Sequence, residues 1–183
     1  MLRRRTFFLL PLTLRAQYEE SRGETPWVPS PDEVIDTMLR LAKVDHRDVV
    51  YDLGCGDGRI VIAAAQHFGA RAVGIDIEPV RVAEATAAAK TAGVSERVGF
   101  VEQDFHQTDL RPASVIALYL YTREMTKLKP RILAQLKPGS RVVAYQFNGM
   151  GDWKPKKVNR RHHYPIYLWI VPDRKPGSGM LPR

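Results

Sequence analysis

From residue 48 to residue 147 the chain repeats one unit, a short apolar run followed by a turn and a helix-patterned run, and that repetition limits the fold to very few architectures. The spacing predicts strands over 49–53, 72–75, 98–101, 115–119 and 142–147. It predicts helices over 59–68, over 80–92 ahead of Gly93, and over 123–136 ahead of Lys137-Pro138-Gly139. Short apolar strands alternating with helices require right-handed crossovers, so the expected fold is α/β, a doubly wound, Rossmann-like, mostly parallel sheet covered on both faces. After residue 150 the pattern changes. Runs at 156–161 and 166–171 are joined by a stretch too short for a crossover, so they are expected as an antiparallel C-terminal pair.

Ahead of the repeating units, "VPSPDEVIDTMLRLAKV" predicts a further helix. Ser30 with Glu33 three residues on reads as a capping box, with Pro31 at the first helical position. Val34, Ile35, Met38, Leu39 and Leu41 supply its apolar stripe. The 183 residues suffice for one core. The expected division is a signal-like or basic N-terminus over 1–17, one catalytic-sized domain over 18–173 and a tail rich in Gly and Pro over 174–183.

Twenty-eight Lys and Arg against 20 Asp and Glu give a formal charge of +8, which favours anionic partners. One cysteine excludes a disulfide framework and a multi-cysteine zinc site. The five histidines show no ligand spacing, so no metal is expected. No run approaches the roughly 18 apolar residues of a membrane span. "MLRRRTFFLLPLTLRAQ" has the outline of a secretory or twin-arginine signal, interrupted by Pro11 and Arg15. A cytoplasmic monomer is expected, with export or membrane association through that segment as the alternative.

"VVYDLGCGDGRIVIAAA" places Gly54, Gly56 and Gly58 directly after the first strand, where an open parallel sheet binds its ligand. Asp76, about one βα unit later and followed by Ile77, suits two ribose hydroxyls. Asp104, with Phe105 beside it, suits an adenine amino group. A dinucleotide fingerprint reads G-x-G-x-x-G; here the spacing is G-x-G-x-G and Asp57 stands inside the loop, where it would repel a pyrophosphate. No lysine followed by serine or threonine makes a phosphate loop. S-adenosylmethionine has no phosphate and carries an ammonium and a sulfonium. Asp52 and Asp57 suit those cations, with loop amides for its carboxylate, and Cys55 fits as a small apolar residue of the same loop.

"YDLGCGDGRI", "GIDIEP" and "EQDF" resemble the class I S-adenosylmethionine-dependent methyltransferases, whose seven-stranded sheet ends in an antiparallel hairpin. "VPSPDEVIDTMLRLAKV", "LKPRILAQLKPGSRVVAYQF", "WKPKKV" and "YLWIV" narrow the resemblance to the small archaeal protein-lysine methyltransferases. Their mitochondrial relatives act on the ATP synthase c subunit and the adenine nucleotide translocase. The resemblance implies that Val28 and Pro29 close over S-adenosylmethionine, that Asp52, Gly54, Gly56, Asp76 and Asp104 bind it, and that a protein lysine receives the methyl group.

An amine acceptor needs orientation and the loss of one proton, not a dedicated base. The fourth strand ends in Leu118-Tyr119-Leu120-Tyr121-Thr122, without the Asn/Asp-Pro-Pro-Tyr of enzymes that methylate planar amino groups. Tyr121 is the candidate catalytic residue, orienting an amine or lining a lysine channel, unless it packs under the helix that follows. Phe147 and Trp153 are channel walls or core, and His106 is a base toward a hydroxyl or an exposed loop residue. Lys154, Lys156, Lys157, Arg160 and Arg161 suit RNA, an acidic protein surface or a solvated sheet edge. The alternatives to a lysine methyltransferase are a small-molecule or RNA methyltransferase and a non-catalytic S-adenosylmethionine-binding module.

Overall fold

The computed structural model describes residues 29–173. The readings of residues 1–17, of Val28 and of residues 174–183 lie outside the described residues. Within them the order is α1 (Asp32–Leu41), β1 (Val49–Leu53), α2 (Arg59–Phe68), β2 (Arg71–Asp76), α3 (Pro79–Thr91), β3 (Val98–Glu102), a 3₁₀ turn (Phe105–Gln107), β4 (Val115–Leu118), α4 (Thr122–Gln135), β5 (Arg141–Tyr145), β6 (Lys157–Asn159) and β7 (Ile166–Ile170). One seven-stranded sheet has the order β3-β2-β1-β4-β5-β7-β6. β1 to β5 pair in parallel, while β7 is antiparallel to both β5 and β6. The expected terminal pair therefore inserts its second strand next to β5 and leaves β6 on the edge.

Alternation along the strands builds two cores. Val50, Val115, Ala117, Val143 and Leu168 face α1 and α2, where they meet Ile35, Met38, Leu39, Val61 and Ala64. Leu53, Ile116, Leu118, Val142 and Trp169 face the opposite side and meet Met125, Leu128 and Ile132 of α4. Side chains of period 2 on strands thus bury stripes of period 3.6 on helices.

The capping box is not formed. Pro31, not Ser30, is the N-cap of α1, and no side chain caps it. Helical bonding starts at the Pro31 carbonyl, which accepts from the N–H groups of Val34 and Ile35. The Ser30 carbonyl accepts a 2.9 Å hydrogen bond from Nη1 of Arg59, which holds this segment against the loop after β1. β5 also stops two residues short of the expected end, because the backbone reverses at Gln146.

The end of the sheet remote from the glycine loop is tied by Asp48, a buried carboxylate at the start of β1. It pairs with the Arg141 guanidinium of β5, accepts from Ser114 Oγ at 2.7 Å and from the Asp45 N–H at 2.9 Å. Removing one partner of a buried pair leaves the other charge uncompensated. Asp48→Ala is therefore expected to lower stability to urea by about 3 kcal/mol with an unchanged m-value. A loss below about 1 kcal/mol would show that this pair does not hold the strands.

Candidate functional site at the strand switch point

β1 pairs with β2 on one side and with β4 on the other, and the chain leaves β1 toward α2 on one face but leaves β4 toward α4 on the opposite face. The carboxyl ends of β1 and β4 consequently open a crevice, the ligand position of open α/β sheets. Its two rims touch: a Cβ placed on Gly54 would lie 3.3 Å from Cδ2 of Leu120, between Tyr119 and Tyr121.

The glycine loop turns through left-handed positions at Gly54, Gly56 and Gly58, with φ of 82°, 54° and 77°. These conformations are open to glycine and strained for most residues. Gly58 has a packing role beyond the turn, since a Cβ there would meet Phe100 at 2.6 Å and Ala85 at 2.8 Å. Four of the loop amides are not donors in waiting. The N–H groups of Gly54 and Cys55 both donate to the Ile75 carbonyl, that of Gly58 donates to the Cys55 carbonyl, and that of Gly56 donates to Oδ2 of Asp76 at 2.8 Å. The turn satisfies them itself because β2 runs directly beside it. Cys55 is buried with its thiol against Gly74, and burial pushes that thiol well above its ordinary range, so it is inert packing.

The two loop acids differ. Asp57 is neutralised by Arg59, whose Nη2 lies 2.6 Å from Oδ2. Burial works against ionisation, yet the hydrogen bonds from Arg59 outweigh it and hold the Asp57 carboxyl below its usual value. Arg59 also carries the Ser30 carbonyl, so a single guanidinium joins the glycine loop to the segment that follows Pro29, itself exposed. Asp52 is 3 % exposed, and burial, reinforced by the carboxylates of Asp76 and Asp57, pushes it up to about 8. An acid so placed favours a cationic neighbour, which would stabilise its ionised form.

At the end of β2, both carboxylate oxygens of Asp76 already accept backbone N–H groups, Oδ2 from Gly56 and Oδ1 from Glu78 at 3.0 Å. Each oxygen keeps a second lone pair. Ile77, immediately after it, is 63 % exposed, an apolar surface without an apolar cover among the described residues. Asp104 caps the 3₁₀ turn by accepting from the His106 N–H at 2.8 Å, and the Phe105 ring lies 4.6 Å from that of His106. The acids, the exposed isoleucine and the lack of any lysine in the glycine loop suit a cationic, phosphate-free nucleoside.

His106 is neither a free base nor an exposed loop residue. Its Nε2 lies 2.6 Å from Oε2 of Glu124, in the first turn of α4. Burial would raise the Glu124 carboxyl, but hydrogen bonds from His106, Lys127 and Arg123 together bring it down to about 2. This clip joins the turn that carries Asp104 to the helix that begins at Thr122, and nothing in the sequence brings residues 106 and 124 together. Arg59 and Glu124, which no local pattern in the sequence marks, both act across elements.

On the β4 side, Tyr121 is the N-cap residue of α4 and 38 % exposed, with its ring edge-on to Phe147 at 5.1 Å. It does not lie under the helix. Tyr119 packs on Tyr145 at 5.0 Å and stacks on Phe147 at 6.4 Å. Trp153 packs on Trp169, with its carbonyl accepting from Nε1 of that residue at 2.8 Å, and so belongs to the edge of the core. Lys154, Lys156, Lys157, Arg160 and Arg161 are all exposed along the β6 edge. Among the described residues no three His, Cys, Asp or Glu side chains form a group that could hold a metal ion.

Because the folded chain holds a proton on Asp52 up to about 8 while an ordinary carboxyl releases it near 3.8, the native state binds more protons between those values. The stability associated with Asp52 is present below that window and is lost as pH rises through it. Asp52→Asn is expected to flatten the fall of Tm between about pH 5 and about pH 8. Superimposable profiles would show that Asp52 titrates normally.

Residues 52–157 match the family described as the ANTKMT methyltransferase domain. A protein-lysine N-methyltransferase of Saccharolobus islandicus is 41% identical over 155 residues, which cover 82% of this chain and 96% of that protein. The adenine nucleotide translocase lysine N-methyltransferase of Mus musculus is 31% identical over 75% of this chain and 59% of its own length, so the chain spans little more than half of that relative. Among solved structures, an RNA methyltransferase of Salinibacter ruber in complex with S-adenosyl-L-homocysteine is 45% identical, with a TM-score of 0.79 over 82% of this chain and 98% of that one. With the glycine loop inside the matched residues and a relative 41% identical along almost its full length, the chain belongs to the ANTKMT methyltransferase domain family.

Proposed function

We propose that this chain is an S-adenosylmethionine-dependent methyltransferase that modifies protein lysine side chains. The observation that carries the reading is the similarity to the Saccharolobus islandicus protein-lysine N-methyltransferase across almost its full length. Three features of the site support it. Asp76 offers its remaining lone pairs to ribose hydroxyls. Ile77, Asp104 and Phe105 suit adenine, and Asp52, buried and poised near neutrality, suits the cationic methionine end. Gly54, Cys55, Gly56, Asp57 and Gly58 shape the floor, Asp57 through Arg59, and Val28 and Pro29 are read as the cover.

When bound, S-adenosylmethionine supplies a methyl carbon on a sulfonium: the lysine lone pair forms the C–N bond as the C–S bond breaks, and its electron pair stays on sulfur. The chain's own part is to exclude water, orient the amine and favour its uncharged form. An ammonium brought among aromatic rings beside a cation loses hydration and is pushed toward releasing its proton to solvent. The Tyr121 ring lines the mouth of this path, together with Phe147. No helix among the described residues is long and apolar enough to cross a membrane. The cytoplasm, where the cofactor is made, is the location this chemistry fits.

A second reading has one specific observation in its favour: the Salinibacter ruber relative is described as an RNA methyltransferase, and the exposed basic β6 edge suits phosphate. A single experiment separates the two. The purified chain is incubated with methyl-labelled S-adenosylmethionine and a cell extract, with and without ribonuclease, and the product is acid-hydrolysed for amino-acid analysis. Ribonuclease-resistant label in methyl-lysine is the expected result. Ribonuclease-sensitive label would move the acceptor to RNA, and a dialysable product would move it to a small molecule.

A further inference from the structure

Among the described residues two that are not glycine hold a left-handed φ, Lys43 at 53° and Gln146 at 69°. Lys43 follows Ala42, the C-cap of α1, where a left-handed residue is the ordinary end of a helix. Gln146 ends no helix. It stands directly after β5 in a three-residue turn across which the Phe147 N–H donates to the Tyr145 carbonyl at 2.8 Å, and its own N–H donates to the Pro165 carbonyl at 2.8 Å. Glycine would take this conformation without strain. A glutamine held there from both sides directs attention to its side chain.

That side chain reaches the acceptor rim of the crevice. Oε1 of Gln146 accepts a 3.0 Å hydrogen bond from the Tyr119 hydroxyl, and Tyr119 is the first residue after β4, adjacent to the Leu120 that abuts Gly54. Around this pair stand the rings of Tyr121, Tyr145, Phe147 and Tyr164, the last edge-on to Tyr145 at 6.0 Å. Tyr121 and Tyr164 are exposed, while Tyr145 is buried, so the group runs from solvent inward.

Resting on the lysine reading above, we propose that Tyr119 orients the acceptor amine and that Gln146 positions Tyr119 for it. A phenol can donate one hydrogen bond and accept others. By accepting the Tyr119 O–H hydrogen bond, the Gln146 amide oxygen directs the phenol oxygen to serve as an acceptor toward the crevice. An uncharged lysine amine giving one N–H to that oxygen is held with its lone pair directed elsewhere, toward the methyl carbon. The rings around it take the methylene chain. Tyr119 is the residue in contact with substrate; Gln146 acts through it.

The test compares the full chain with Gln146→Gly, Tyr119→Phe and the double variant. Glycine suits the turn and phenylalanine keeps the ring, so both are compatible with the fold. Readouts are Tm, affinity for S-adenosylhomocysteine by calorimetry, and the initial rate of methyl-lysine formation in extract at saturating S-adenosylmethionine. Gln146→Gly is expected to keep Tm at or above wild type and leave S-adenosylhomocysteine affinity unchanged while the rate falls about tenfold. Tyr119→Phe is expected to lose about as much or more, and the double variant no more than Tyr119→Phe alone. Wild-type rates in Gln146→Gly, or losses that multiply in the double variant, would overturn the proposal while leaving the lysine reading intact. A wild-type chain that binds S-adenosylhomocysteine yet forms no methyl-lysine would overturn both.

Discussion

The hydrogen bond from the Gly56 N–H to the Asp76 carboxylate, at 2.8 Å, is the interaction on which the site depends. It ties the loop after β1 to the end of β2, so that the turn and the Asp76 carboxylate have one fixed relation. The Ile75 carbonyl adds two further bonds from Gly54 and Cys55. A loop of three left-handed glycines is conformationally permissive when free, and these bonds convert it into one shape. The same arrangement satisfies the N–H groups of Gly54, Cys55, Gly56 and Gly58 within the fold.

From that corner the chain is braced outward by residues that work in pairs. Arg59 neutralises Asp57 and holds the Ser30 carbonyl, which brings the segment after Pro29 to the glycine loop. Glu124 gathers His106, Arg123 and Lys127, which joins the 3₁₀ turn to the start of α4. The far end of the sheet is held independently by Asp48 and Arg141. Asp52 is left as the buried acid at the switch point, and its preference for a proton in isolation is the physical counterpart of a preference for a cation when ligand is bound.

The repeating strand-turn-helix order, the glycine loop and the acids at 76 and 104 were legible because each follows from local periodicity or from a fixed place after a strand. β1 and α2 agree with their expected bounds, and the stripe of α1 buries Val34, Ile35, Met38 and Leu39 as expected. The capping box is the exception: helical bonding begins one residue later, at the Pro31 carbonyl, while the Ser30 carbonyl serves Arg59, 29 residues away. His106 was misread because Glu124 reaches it from another element. The turn at Gln146 is invisible in sequence because glutamine carries no signal for a left-handed backbone. What the sequence conveyed was therefore the β1–β2 side of the crevice, built from contiguous loops, whereas the aromatic side is assembled from the ends of β4 and β5.

The most direct test of this account is a crystal structure of the chain with S-adenosylhomocysteine. The account predicts ribose hydroxyls on Asp76, adenine against Ile77 and Phe105 with its amino group on Asp104, and the sulfur on the side of Tyr119 and Tyr121. A ligand that leaves Asp76 uncontacted, or that lies away from the ends of β1 and β4, would contradict it.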